Sequence, residues 1–286
     1  MPNLHEISTE SNPQYIISKY IKEYANMEKR NVIVYYSGWL HHTRGNEESY
    51  IINDLDKNGF MSVIHGLDKT KGLDLFLHTP GGDVGATESI IDYLYDVFEG
   101  DTRAIIPQIA MSGGTMIACS CKEIIMGKQS NLGPIDPQFG SIPAEAIIKE
   151  FNTAKEEISK NPNIAPFWQP LISKYPPALI ITCDNARKWS NEILEKSLKY
   201  GMFEENQKDI IENIKSKLGS HEATRNHGKH LSANECFDMG LKIKSMENND
   251  DYQDSVLSVH HACMNFFNVN KNAKKLIANN KKFFMQ

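Results

Sequence analysis

Two glycine turns at strand ends constrain this chain more than any other feature. They are His78-Thr79-Pro80-Gly81-Gly82-Asp83 and Ala110-Met111-Ser112-Gly113-Gly114-Thr115-Met116. Each follows a strand-like, largely apolar run and precedes a helical pattern. That places both at the carboxyl edge of a parallel sheet, where α/β proteins carry their sites. Thirty residues separate Gly82 from Ser112, about one βα unit, so the turns are expected on neighbouring strand ends. Paired glycines let the backbone turn sharply and bring bare N–H groups close to a ligand. Neither turn is a phosphate loop. The chain lacks G-x-x-x-x-G-K-[ST], and Gly81-Gly82-x-x-Gly85 departs from G-x-G-x-x-G. No dinucleotide fingerprint is present, and no cofactor is expected.

The surrounding pattern supports the α/β reading. Residues 13–30 carry Ile16, Ile17, Tyr20, Ile21 and Tyr24 at helical spacing, and 31–36 reads as a buried strand. A polar loop (40–50), a helix (51–67), a strand (73–78) and a helix (86–98) follow, with Ile90, Ile91, Leu94, Val97 and Phe98 on one face. Next come a strand over 102–110, a small buried helix over 115–120 and a short strand over 123–126. The apolar stretch 178–183 is strand-sized, but helices dominate beyond 143: 144–158, 185–200, 204–218, 233–240 and 253–267. They read as the outer layer of one domain spanning 30–270, after a helical extension over 1–29. The tail 271–286 is basic and expected to be partly loose.

Composition narrows the function classes. Thirty-one basic against 36 acidic residues leave a net charge of −5, with no cationic excess to displace phosphate counterions, so no nucleic-acid partner is expected. The five cysteines are irregularly spaced, and Cys119-Ser120-Cys121 is not a zinc or redox knuckle; buried reduced thiols are expected. His221-Glu222 begins like a zinc motif, but Arg225 stands where the second histidine belongs, so no metal is expected. No apolar run approaches the roughly 20 residues of a membrane span, and the opening segment has no signal-peptide core. The expectation is a cytoplasmic protein with no integral membrane segment.

Ser112, between a strand end and a buried helix, has two readings: a nucleophile presented on a turn, or an ordinary helix N-cap. Acyl transfer needs a nucleophile and N–H donors aimed at the carbonyl oxygen, and the pair of turns supplies both. The Pro-Gly-Gly edge also offers a place for an extended peptide to add as a strand.

Three segments carry a resemblance: LHTPGGDVGATESIIDYL, IAMSGGTMIACSCKEIIMGKQSNLGPIDPQ and, more weakly, LSANECFDMGLKI with SVLSVHHACM. Together they resemble the serine dehydrogenase proteinase family, of the Clp-protease and crotonase fold and related to signal peptide peptidase A, over most of residues 30–265. The resemblance implies an α/β fold, a Clp/crotonase-like spiral of ββα units with a helical outer layer and C-terminal helices, usually assembled as a homo-oligomer. It implies a serine peptidase acting on a peptide or protein substrate. Ser112 would be the nucleophile, and the Gly82 and Gly113 N–H groups the oxyanion hole. Gly81, His78 and Asp136 are expected to line or support the site.

One position departs from the pattern. Clp proteases carry a catalytic histidine about one ββα unit after the serine. Here Gly133-Pro134-Ile135-Asp136-Pro137-Gln138 has none, and an ordinary carboxylate is too weak a base near neutrality. The signal-peptide-peptidase relatives use a lysine, and the placement of Lys149 resembles that of the lysine in soluble relatives. Lys155, Lys128 and His230 are the other candidates for the base. Two further readings stay open: a peptide-binding scaffold of the same fold, and a crotonase-like enzyme acting on acyl-CoA.

Overall fold

A strand covered on both faces must be apolar on both, and the run Asn31–Ser37 is buried at every position. Its alternate side chains enter separate cores: Ile33 and Tyr35 one, Val32, Val34 and Tyr36 the other. The computed structural model, which describes residues 4–9, 12–41, 47–140, 142–204 and 206–286, builds a helix-covered sheet around this strand. Part of the polar loop over 40–50 lies outside the described residues.

The strands are β1 (Asn31–Ser37), β2 (Leu73–His78), β3 (Thr102–Ile106), β4 (Ile109–Ala110), β5 (Glu123–Met126) and β6 (Asn131–Leu132). They continue as β7 (Gln138–Phe139), β8 (Ile142–Pro143), β9 (Leu231–Ser232), β10 (Ile243–Ser245), β11 (Lys275–Ala278) and β12 (Phe283–Met285). The main sheet has the order β10-β5-β3-β2-β1-β11-β12, a smaller one is β4-β6-β9, and β7-β8 is a hairpin. β10 to β1 run parallel, with Val34 beside Phe76 and Phe76 beside Ile105. β11 and β12 close the other edge antiparallel.

Four expectations change. The strand over 102–110 is two strands in two sheets, because Pro107 lacks the N–H a ladder needs. The helix expected to begin at 51 begins at Asp54: Asn53 accepts from Leu55 N–H, and Asp56 reaches back to Asn53 N–H, a capping box. Ile51 and Ile52 are left outside the helix, and Ile52 bridges to Gly82. The stretch 178–183 opens the helix Leu179–Gly201, with Leu179 and Cys183 buried four apart while Ile181 is exposed. The tail over 271–286 is the paired hairpin β11-β12, and its Lys275 is 1 % exposed.

Helices Ala144–Lys160, Ala165–Ile172 and the first half of Leu179–Gly201 form an arm with its own small core of Ala144, Ile147, Leu179 and Cys183. Among the described residues, no helix is long and apolar enough to cross a membrane.

At the amino edge of the sheet, Asp74 on β2 is fully buried. Its carboxylate accepts from Arg30 Nε (2.6 Å), Arg103 Nε (2.7 Å) and Tyr24 Oη (3.0 Å), with Arg103 Nη2 also paired to it. The group ties β2 to β3, to the residue before β1 and to the helix Pro13–Glu28. Removing one partner of a buried ion pair strands the other charges. Asp74→Ala is therefore expected to lower the unfolding free energy by about 3–5 kcal/mol in urea denaturation.

Candidate active site

The two glycine turns meet because β2 continues into a bridge with β4. Thr79 N–H donates to Ile109 O (3.3 Å), and Met111 N–H donates to Thr79 O (3.0 Å). Beyond this bridge the turns run side by side. A Cβ on Gly81 (φ +92°) would lie 2.7 Å from Ser112 Cβ and 2.9 Å from Gly113 N. Only glycine fits, by conformation and by space.

Gly82 is confined on its other side. Ile52 N–H donates to Gly81 O (2.8 Å), and Asp83 N–H donates to Ile52 O (2.9 Å). A Cβ on Gly82 would lie 2.3 Å from Ile52 N. Ile52 thus occupies the edge where an extended peptide was expected to add. Because these bonds flank Gly82, extended-chain alternation turns the Gly82 N–H away from Ile52 and towards the Ser112 turn. Among the described residues, neither Gly82 N–H nor Gly113 N–H has an acceptor in the chain.

Ser112 sits at φ 49°, ψ −112°, sparsely populated for any residue with a side chain. Such a conformation costs about 1–3 kcal/mol and is held only by over-determining surroundings. Thr115 provides much of that: its fully buried hydroxyl shares its one proton between Ala110 O (3.0 Å) and Gly133 O (2.9 Å) and accepts from Gly133 N–H (3.1 Å). Ser112 precedes the helix Gly113–Cys119, yet its side chain makes no cap hydrogen bond, so the N-cap reading does not describe it. The chain makes a sharp strand-to-helix elbow at Ser112.

The small sheet gathers further residues at the same end. Ala110 is beside Leu132, and Leu132 opposite Leu231. Continuing that register, Ser112, the Gly133–Pro134 turn and the segment entering β9 leave the sheet at one end. From the turn, Asp136, 2 % exposed, accepts from Gln138 Nε2 (2.8 Å) and from His227 Nδ1 (2.8 Å). With Nδ1 donating to a carboxylate, His227 keeps Nε2 as its free acceptor. Sequence reasoning passed over His227. Nothing local distinguishes it from His230, and only the buried Asp136, 91 residues away, singles it out.

The other expected residues lie as follows. Lys149 has 68 % of its side chain exposed and pairs with Glu222 at 3.2 Å. Lys128, Lys155 and His230 are exposed. The lysine with the burial a base requires is Lys275, whose pKa burial lowers, but its partners are Asp56 and Ile51 O. His78 is fully buried beneath the turn, stacked on Tyr36. It donates through Nδ1 to Ser37 O (3.3 Å), and its Nε2 lies 3.0 Å from the Gln108 side-chain amide.

Burial pushes His78 down to about 4 from 6.5. The unfolded chain takes up a proton near pH 6.5 that the folded chain refuses until about pH 4. The stability tied to neutral His78, up to about 3 kcal/mol, is fully present above pH 6.5 and drains away as pH falls towards 4. Burial lowers His260 as well, adding in the same direction. Urea denaturation is expected to show this loss across that window, with a shallower slope in His78→Asn.

Comparison with known proteins yields one family and two relatives. A family model described as ClpP-like SDH-type serine proteinase matches residues 50–257, which include both glycine turns, Asp136 and His227. Both relatives come from Methanocaldococcus jannaschii. The uncharacterized protein MJ0137 is 44 % identical over 94 residues, 33 % of this chain and 32 % of its own length. The uncharacterized protein MJ1495 is 31 % identical over 190 residues, 66 % of this chain and 58 % of its own. The match thus spans less than two thirds of either relative. The chain belongs to the ClpP-like SDH-type serine proteinase family.

Proposed function

We propose that this protein is a peptidase in which Ser112 is the nucleophile, the Gly82 and Gly113 N–H groups form the oxyanion hole, and His227, oriented by Asp136, is the base. The observation that carries this reading is the strained, uncapped Ser112 beside two N–H groups with no acceptor of their own. Strain without a capping bond has no structural return; presenting Oγ to a substrate accounts for it.

In acylation, Ser112 Oγ bonds to the peptide carbonyl carbon and its proton passes to His227 Nε2. The carbonyl oxygen takes the negative charge against the Gly82 and Gly113 N–H groups. Collapse breaks the C–N bond, and His227 hands the proton to the leaving amine. Water then attacks the acyl-enzyme by the same proton route and frees the acid. Asp136 holds the imidazole in the tautomer that leaves Nε2 open. Lys149 takes no part, because a lysine serves as base only where it is buried, and its side chain is 68 % exposed and turned to Glu222. The substrate is a peptide or protein segment.

Peptide hydrolysis and fluorophosphonate labelling test the assignment together. Ser112→Ala is expected to abolish both and keep the fold. His227→Ala and Asp136→Asn are expected to lower kcat about 10²–10⁴-fold, and Lys149→Ala to leave it within about twofold. Labelling that persists in Ser112→Ala removes the serine from its role. Loss of activity in Lys149→Ala alone, with His227→Ala unimpaired, returns the base to the lysine.

A further inference from the structure

Ile52 is the wall against which Gly82 is set, and it is gripped from both sides by the two members of one ion pair. On its N-terminal side, Ile51 O accepts a hydrogen bond from Lys275 Nζ (3.0 Å). On its C-terminal side, Asn53 N–H donates to Asp56 Oδ2 (2.9 Å). Lys275 Nζ and Asp56 Oδ1 are 2.7 Å apart, and neither side chain is exposed. Asp56 also accepts from Tyr35 Oη on β1 (2.9 Å) and from the Gln286 side chain (2.9 Å). Lys275 and Gln286 belong to the C-terminal hairpin, outside the family-matched segment of residues 50–257.

A buried ion pair is a poor source of net stability compared with apolar residues of similar volume, because desolvating both charges offsets their attraction. What it supplies well is direction, since both charges are fully committed to particular partners. Here the partners outside the pair include the two peptide groups that bracket Ile52. The Ile52 side chain also reaches the second turn: a Cβ on Gly113 would meet its Cδ1 at 3.2 Å.

We infer that Lys275 and Asp56 are positioning residues for the oxyanion hole: the pair clamps Ile51–Asn53 so that Ile52 holds the Gly82 N–H in its catalytic direction. The C-terminal hairpin is thereby a working part of the site, joined to it across 224 residues of chain. This rests on the reading of Gly82 as an oxyanion donor. The clamp itself is a statement about backbone order and is measured separately.

The test uses the full chain with Lys275→Met, Asp56→Asn and Gln286→Ala. Gln286 is only partly buried, so its variant keeps the fold if the first two do not. Two readouts are taken on every variant that retains the wild-type circular dichroism spectrum. Hydrogen exchange by mass spectrometry is expected to quicken in peptides covering 50–56 and 80–84 and to stay unchanged in the helix Asp250–Val269. Peptide hydrolysis is expected to lose about 10- to 100-fold in kcat for Lys275→Met and Asp56→Asn, and less for Gln286→Ala, with KM within about twofold. Unchanged exchange in 50–56 overturns the clamp. Quicker exchange with an undiminished kcat overturns its link to the oxyanion hole. If Ser112→Ala proves as active as wild type, the peptidase reading fails and the positioning role with it, while the exchange result still reports on the clamp.

Discussion

The site rests on one short pairing, the exchange of hydrogen bonds between Thr79 and the Ile109–Met111 backbone. It is the point where the main sheet hands over to the smaller one. Pro107 makes the handover possible by ending the third strand without a donor, so the chain leaves the first ladder before it can pair with the second. Gly81 touches Ser112 because of this pairing, and the chain can then turn into its buried helix only through the unfavourable dihedral angles at Ser112. The Thr115 hydroxyl locks that geometry from below by tying it to Gly133, which starts the turn carrying Asp136.

Charge is used differently at the two edges of the sheet. At the amino edge, Asp74 gathers two arginines and a tyrosine into a cluster that joins strands and a covering helix. At the carboxyl edge the titratable groups come in smaller sets, each with a defined orientation: His227 on Asp136, Lys275 on Asp56, His78 between Ser37 and Gln108. The first arrangement resists removal of any member, and the second fixes the aim of particular polar atoms.

Much of this was legible in the sequence, for physical reasons. The glycine turns could be placed because strand-to-helix turns need residues without Cβ, and strand burial because apolar runs interrupted at 3.6- or 2-residue periods have few alternatives. What escaped was long-range or set by a single residue. Pro107 split a strand that its apolar neighbours presented as continuous. The pair Asn53 and Asp56 delayed a helix by a few residues and so freed Ile52 to face Gly82; the capping signal was present but is weak beside a run of isoleucines. The basic tail looked loose because five lysines without an acid suggest solvent, yet Asp56 lies far up the chain and takes one of them into the interior. His227 had no local signature at all, since its significance lies in a carboxylate 91 residues earlier.

The dispersal of these contacts along the chain sets an order of assembly during synthesis. Ser112 and both glycine turns emerge from a ribosome well before His227, and the lysine that braces Ile51 comes later still. On the proposed mechanism a growing chain therefore carries its nucleophile for more than a hundred residues of elongation with neither a base nor a braced oxyanion wall. On that reading the site is assembled in full once the hairpin carrying Lys275 has been made and has paired.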